Sequence, residues 1–151
     1  MKHIKNYYVA LAMMGAVLCG GLTSCSDDDD VDTVVVKGTQ EALDAACKQW
    51  KIARADWEKS EAFLFGAADE YSIDPHTDTW PVDQAALANV LRDNSIMSDI
   101  ENKVKQLNSG LLGYHGIEYV LFREGKARDI SQFTDLEYKY VCAVAKDLYQ
   151  A

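Results

Sequence analysis

Basic residues are scarce in this sequence. Only 15 Lys and Arg stand against 24 Asp and Glu among 151 residues, a formal net charge of −9. That is the wrong sign for neutralising phosphates, so nucleic acid is excluded as a natural partner. Proline is scarcer still, at two residues, which speaks against collagen-like and proline-rich disordered architectures. Four cysteines without a CxxC or Cys–His spacing offer no thiolate metal site. The apolar run over residues 7–21 is too short to span a bilayer stably. No strand-like alternation stands out either, apart from the short Val34-Val35-Val36. What is present is ordinary for one globular domain: 48% hydrophobic residues, with eight Tyr, three Trp and four Phe to fill a core.

The amino-terminal segment reads as an address. Lys2 and Lys5 precede the apolar run, which ends in Leu22-Thr23-Ser24-Cys25. This pattern resembles the bacterial lipobox, in which cleavage before the cysteine frees it for lipid modification. Residues 1–24 are therefore expected to be a lipoprotein signal peptide and Cys25 the lipidated anchor. Their removal takes away two lysines and no acid, moving the net charge from −9 to −11. Asp27 to Asp30 and Asp32 repel one another, so residues 25–38 are expected to be an extended acidic tether. The expected location is the cell envelope, with the chain anchored to the outer membrane on its periplasmic or outer face. Cys47 and Cys142 remain; both fall on apolar helical stripes, and two buried free thiols are favoured over a disulfide.

The rest reads as all-α, a helical bundle over residues 39–151. Leu43, Cys47, Trp50, Trp57 and Leu64 mark one face of a long helix over residues 40–65, capped by Thr39 and stopped by Gly66. Residues 67–81 hold both prolines and four acids without periodicity and predict a long loop. Asp83 caps a helix through Leu91, and Ser95 caps another carrying Ile96, Ile100, Val104 and Leu107. Residues 111–122 are apolar almost all round and predict an enclosed central helix. Thr134-Asp135-Leu136-Glu137 is a capping box, opening a helix that turns Leu136, Tyr140, Val144 and Leu148 inward.

Two polar anomalies interrupt these apolar faces. His115 and Glu118 are three residues apart, hence about 60° apart around the central helix. Gly113 and Gly116 fall on the other side, where the missing side chains let a neighbour come close. On the first helix Glu61 sits on the apolar stripe with Glu58 one turn behind. A buried carboxylate is costly unless paired or metal-bound. Three Glu and one His converging would suit iron, manganese or zinc. An internal network, with Arg54 or Arg123 pairing a Glu and His115 hydrogen-bonding a carboxylate, satisfies the same residues without metal. His76, in the loop, reads as a surface histidine, and Trp80-Pro81 as an anchor closing the loop over the bundle.

Three blocks in order, Trp57-Glu58-Lys59-Ser60-Glu61-Ala62-Phe63-Leu64-Phe65-Gly66, then Asp78-Thr79-Trp80-Pro81-Val82-Asp83, then Gly113-Tyr114-His115-Gly116-Ile117-Glu118-Tyr119, resemble the imelysin family. Asp135-Leu136-Glu137-Tyr138 resembles its next helix. The resemblance implies an all-helical, bundle-like fold and a GxHxxE motif at Gly113, His115 and Glu118. It implies Glu58 and Glu61 as acidic neighbours, Asp78 as a further ligand from the loop, and a link to iron uptake or metallopeptidase activity. Family members are longer, so this chain is expected to match only the amino-terminal half and to offer a face to a second half-bundle or a second copy of itself.

The expected ligand set is thus His115, Glu118, Glu61, Glu58 and Asp78, for a divalent or ferric ion, iron first and zinc second. A zinc peptidase needs three ligands, an open position and a general base. HxxE supplies no separate base, and no catalytic residue is assigned. Metal capture in iron uptake is the leading function, with a metal-dependent peptidase and a metal-free surface interaction module as alternatives.

Overall fold

Thr39 accepts a hydrogen bond from the Ala42 N–H at 3.3 Å and opens the first helix, α1 (Gln40–Ser60). In the computed structural model, which describes residues 39–151, α1 buries Leu43, Ala46, Cys47, Trp50, Ala53 and Trp57 along one stripe. It ends sooner than the periodicity predicts. The Ser60 hydroxyl bonds back to the Trp57 carbonyl at 2.7 Å, the local competition that Ser offers a helix backbone. Glu61–Phe63 then continue as a single 3-10 turn before Gly66 redirects the chain at φ +66°. The expected signal peptide, the Cys25 anchor and the acidic tether all lie outside the described residues.

The segment predicted as a loop forms two short helices, α2 (Ala67–Glu70) and α3 (Ile73–Thr77). Asp83 caps α4 (Gln84–Arg92) as expected. The next apolar stripe does not run as one helix. Asp93, rather than Ser95, caps α5 (Asn94–Met97), Asp99 leaves helical geometry, and α6 (Ile100–Lys103) follows with a 3-10 turn at Val104–Gln106. Met97, Ile100 and Val104 are buried all the same.

The enclosed helix is α7 (Gly113–Leu121). Tyr114, Ile117, Val120 and Leu121 are fully buried on it, which fits an element apolar almost all round. It lies chiefly against α8 (Asp135–Gln150) and, on another side, against α1. Two strands absent from the sequence reading, β1 (Phe122–Arg123) and β2 (Lys126–Ala127), make an antiparallel hairpin after α7. The turn between them uses positive φ at Glu124 and Gly125. The capping box of α8 is complete: the Glu137 N–H donates to the Thr134 hydroxyl at 3.1 Å and the Thr134 N–H to the Glu137 carboxylate at 2.9 Å. Tyr140, Val144 and Leu148 point inward as expected, whereas Leu136, in the first turn, stays 40% exposed.

Both glycines of α7 are dictated by contact. A Cβ on Gly113, itself at φ +65°, would stand 2.0 Å from the Thr77 carbonyl oxygen, so α3 ends directly on the start of α7. A Cβ on Gly116 would meet the Leu111 carbonyl at 2.7 Å and the Tyr140 hydroxyl at 2.9 Å. That hydroxyl donates to the same carbonyl from α8. Cys47 is a free, buried thiol, pushed up to about 11 by burial with the Asp44 charge adding to it. Cys142 is disulfide-bonded, so the expectation of two free thiols holds for Cys47 alone. Among the described residues no helix is long and apolar enough to cross a membrane.

Candidate functional site

The close approach at Gly113 places Asp78, the residue that ends α3, beside the first turn of α7. Its side chain is only 6% exposed. Arg54 and Trp57, three residues apart and therefore on one face of α1, both reach Oδ2. Arg54 donates from Nη1, and Trp57 donates from Nε1 at 2.9 Å. The other oxygen, Oδ1, lies 3.0 Å from His115 Nε2. The ring is not aimed for an N–H to bridge them, and Oδ1 is left buried with no hydrogen-bond donor. Such an atom is costly in a folded protein.

His115 is held from its other side. Nδ1 lies 2.9 Å from Glu118 Oε2, the i, i+3 neighbour. With Nδ1–H donating to that carboxylate, Nε2 carries no proton to offer Asp78 Oδ1. Trp80 tilts over the imidazole with ring centroids 4.8 Å apart. Behind Asp78, Arg54 also pairs with Glu58, Nη2 to Oε1 at 2.5 Å, and its guanidinium lies over the Tyr114 ring. Partial burial works against the charged form of Arg54, but the hydrogen bond to Asp78 and the charges of Asp78, Glu58 and Glu61 outweigh it and hold the guanidinium more firmly protonated. The result is one chain of contacts, Glu118–His115–Asp78–Arg54–Glu58, drawn from α7, α3 and α1.

Of the predicted ligands, the fold brings His115, Asp78 and Glu118 together, and Glu58 joins them through Arg54. Glu61 does not enter the core: α1 has already given way to the 3-10 turn there, and its side chain is exposed. Its carboxyl is pushed up by desolvation, by the charges of Glu58 and Asp78 and by a hydrogen bond with Asp78, against the opposing charge of Arg54. Glu58 is itself 49% exposed, so neither of these two acids points inward as the stripe implied. The network reading named Arg54 correctly, but its principal partner is Asp78. Trp80 is 70% exposed and covers His115; it is not anchored in the core.

His76 is no idle surface residue. Its Nε2 is 2.8 Å from Oδ2 of Asp147, a buried acid on α8, tying α3 to the last helix beside an open cavity of about 440 Å³. Neither Trp57 as a donor nor Asp147 as a buried partner was anticipated. Only the position of Asp147 on the inward face of α8, three residues after Val144, would have marked it in the sequence.

Does the site suit a cation? Two ligands at right angles on an ion held at about 2.1 Å lie about 3.0 Å apart. That is the separation of Asp78 Oδ1 and His115 Nε2. Imidazole with carboxylate suits iron, manganese or zinc. Among the described residues, however, no three His, Cys, Asp or Glu side chains are gathered so as to hold one ion. The pair fits; a third ligand is not in position. An open cavity of about 370 Å³ gives access, lined by His115, Glu118, Trp80, Tyr119, Lys51 and Arg123 among others.

Comparison with known proteins follows the same lines. A crystal structure described as an iron-regulated protein A precursor from Parabacteroides distasonis superposes with a TM-score of 0.76 at 26% identity, over 99% of this chain and 38% of that one. Iron-regulated protein A of Synechococcus elongatus is 36% identical over 80 residues, 53% of this chain and 20% of that protein. The chain therefore spans well under half the length of either relative. The imelysin family matches residues 28–151, which takes in every element described above and the Gly113, His115, Glu118 motif, and the chain belongs to the imelysin family.

Proposed function

We propose that this protein captures a transition-metal cation, iron before zinc, as cargo at the cell envelope in the service of iron uptake. Asp78 and His115 form the gripping pair. The observation that carries this reading is the buried Asp78 Oδ1, without a hydrogen-bond donor and 3.0 Å from His115 Nε2. Glu118 orients the imidazole, the usual task of a carboxylate behind a ligating histidine. Trp57 and Arg54 orient the carboxylate from the far side. The iron-regulated names of the two relatives, the acidic composition and the lipobox-like Leu22-Thr23-Ser24-Cys25 support iron as the cargo and the envelope as the place. Signal cleavage before Cys25, lipid attachment there and an acidic tether complete the proposal.

The test is titration of the purified protein with ferrous iron under anaerobic conditions, and with zinc, by calorimetry. Asp78→Asn and His115→Ala are each expected to weaken binding at least tenfold, or about 1.4 kcal/mol. Affinity unchanged in both variants would overturn the reading. A metal-free interaction module is then the account left standing, and one observation favours it: Arg54 already supplies Asp78 and Glu58 with a positive partner.

A further inference from the structure

The cavity of about 370 Å³ beside His115 carries two positive charges set on aromatic rings. Arg123, just after α7, lies over Tyr119 at 4.1 Å to the ring centroid, and Lys51 of α1 lies over Phe122 at 5.4 Å. Arg54, Lys59, Arg128 and Lys146 pair with carboxylates, whereas among the described residues Lys51 and Arg123 do not. Of the acids lining the cavity, Glu118 is engaged by His115 at 2.9 Å and Glu124 sits in the hairpin turn. Stacking covers the face of a guanidinium and leaves its edge, where the N–H groups point, open to an anion. One Arg123 donor goes to the Phe122 carbonyl at 3.0 Å, which holds the fork in place. Trp80, on the same cavity, is 70% exposed, so its indole lacks the burial that usually accompanies so large an apolar surface.

We propose that this cavity binds a small aromatic carboxylate, its planar ring against Trp80 and its carboxylate on Arg123 and Lys51. Phe122 and Arg123 are neighbours in β1, so the lysine resting on Phe122 and the arginine bear on one end of the cavity. The volume lies at the lower end of the roughly 300–1,000 Å³ of small-molecule sites, and apolar walls with a few polar groups are their usual lining. An inorganic anion would gain nothing from the aromatic walls, and a neutral aromatic would leave both cations without a counter-charge. Because the cavity is open, charge pairing alone contributes little, and ring contact has to supply the rest. Both features are therefore required together. The inference does not depend on a cation at Asp78 and His115.

Cinnamate is the probe, titrated by calorimetry in buffer freed of metal ions by a chelating resin, with the Trp80 indole N–H resonance as a second readout. Saturable binding is expected with a Kd of about 1 mM or tighter. Cinnamyl alcohol, which lacks the charge, and cyclohexanepropionate, which lacks the planar ring, are each expected to bind about tenfold more weakly. Trp80→Ala and Arg123→Gln are each expected to weaken cinnamate about tenfold. Lys105→Gln, an equal change of charge beside the other cavity, leaves affinity within about twofold. Circular dichroism verifies folding, and Trp80→Phe and Arg123→Lys, with smaller losses, stand in for any variant that does not fold. Absence of saturation below about 10 mM overturns the inference. So does equal binding of the alcohol or of cyclohexanepropionate, or unchanged affinity in folded Trp80→Ala or Arg123→Gln. An equal loss in Lys105→Gln assigns binding to net charge and overturns it as well. No metal enters these measurements, so the capture reading stands or falls separately, on Asp78→Asn and His115→Ala.

Discussion

Two arginines of this domain, Arg128 and Arg54, are both taken up with carboxylates, yet their surroundings differ in completeness. Arg128, 9% exposed, donates to the carbonyls of Val120 at 3.0 Å and Gln132 at 2.6 Å, and to both oxygens of Glu137 at 2.8 and 3.4 Å. It also lies 4.5 Å from the Phe133 ring centroid. Glu137 in turn closes the capping box of α8. The cluster clamps the hairpin exit to the start of α8, and the orphaned-atom pattern is absent there. Around Arg54, by contrast, a buried oxygen of Asp78 has no donor and Glu58 is half in solvent. The two networks thus differ in how fully their polar atoms are paired: the Arg128 cluster finds a partner for each donor named, whereas the Arg54 cluster leaves Asp78 Oδ1 without a hydrogen-bond donor.

The largest effect that would sharpen this contrast comes from Arg128→Met. It strands the partly buried Glu137 carboxylate and two carbonyls, and is expected to cost about 3 kcal/mol in urea unfolding. Arg54→Gln is expected to cost less, about 2 kcal/mol, because Gln still donates to the buried Asp78 and Glu58 can turn to water. Equal costs would erase the distinction between a clamp and a site. Cation affinity should respond in the opposite order, with Arg128→Met leaving it unchanged within twofold.

Gly113→Ala comes next. The new Cβ meets the Thr77 carbonyl at 2.0 Å in a backbone conformation that disfavours a side chain, so α3 must retreat from α7. A loss of about 2 kcal/mol is expected, with cation binding lost in the folded remainder because Asp78 moves with Thr77. Gly125, also at positive φ but with open space where a Cβ would go, is the control, and its Ala variant should lose only about 1 kcal/mol and no binding. If the two alanine variants behave alike, the close approach at Gly113 is not what assembles the site.

Much of this was legible in the sequence because it is written in local rules. The capping box at Thr134 and Glu137, the apolar stripe of α1 and the all-round apolarity of α7 each depend on residues within a few positions of one another. His115 and Glu118 were legible for the same reason. The failures share a different cause. α1 stops at Ser60 because a hydroxyl bonds its own backbone, a choice that periodicity does not encode. Residues 67–81 fold into α2 and α3 because tertiary contact, above all Thr77 against Gly113, holds them there. Asp147 with His76 and Asp78 with Trp57 are pairs separated by 71 and 21 residues, and nothing local announces either.

The smallest expected effect separates the two arginine networks by pH. Burial by itself would raise the Glu137 carboxyl, but hydrogen bonds from Arg128 and the Thr134 backbone, with the Arg128 charge, hold it below the usual carboxylate range. A depressed carboxylate stabilises the fold above its unfolded value, about 4.3, and that contribution is lost as pH falls through the lower, folded value. The parent protein is therefore expected to lose about 1 kcal/mol more than Glu137→Gln as pH falls from about 5 toward 3. Gln at this position keeps the capping geometry, so the difference between the two stability curves isolates the charge. Curves that run parallel across that range would mean that Arg128 holds Glu137 by shape alone, and the clamp would then differ from the Arg54 site in packing but not in electrostatics.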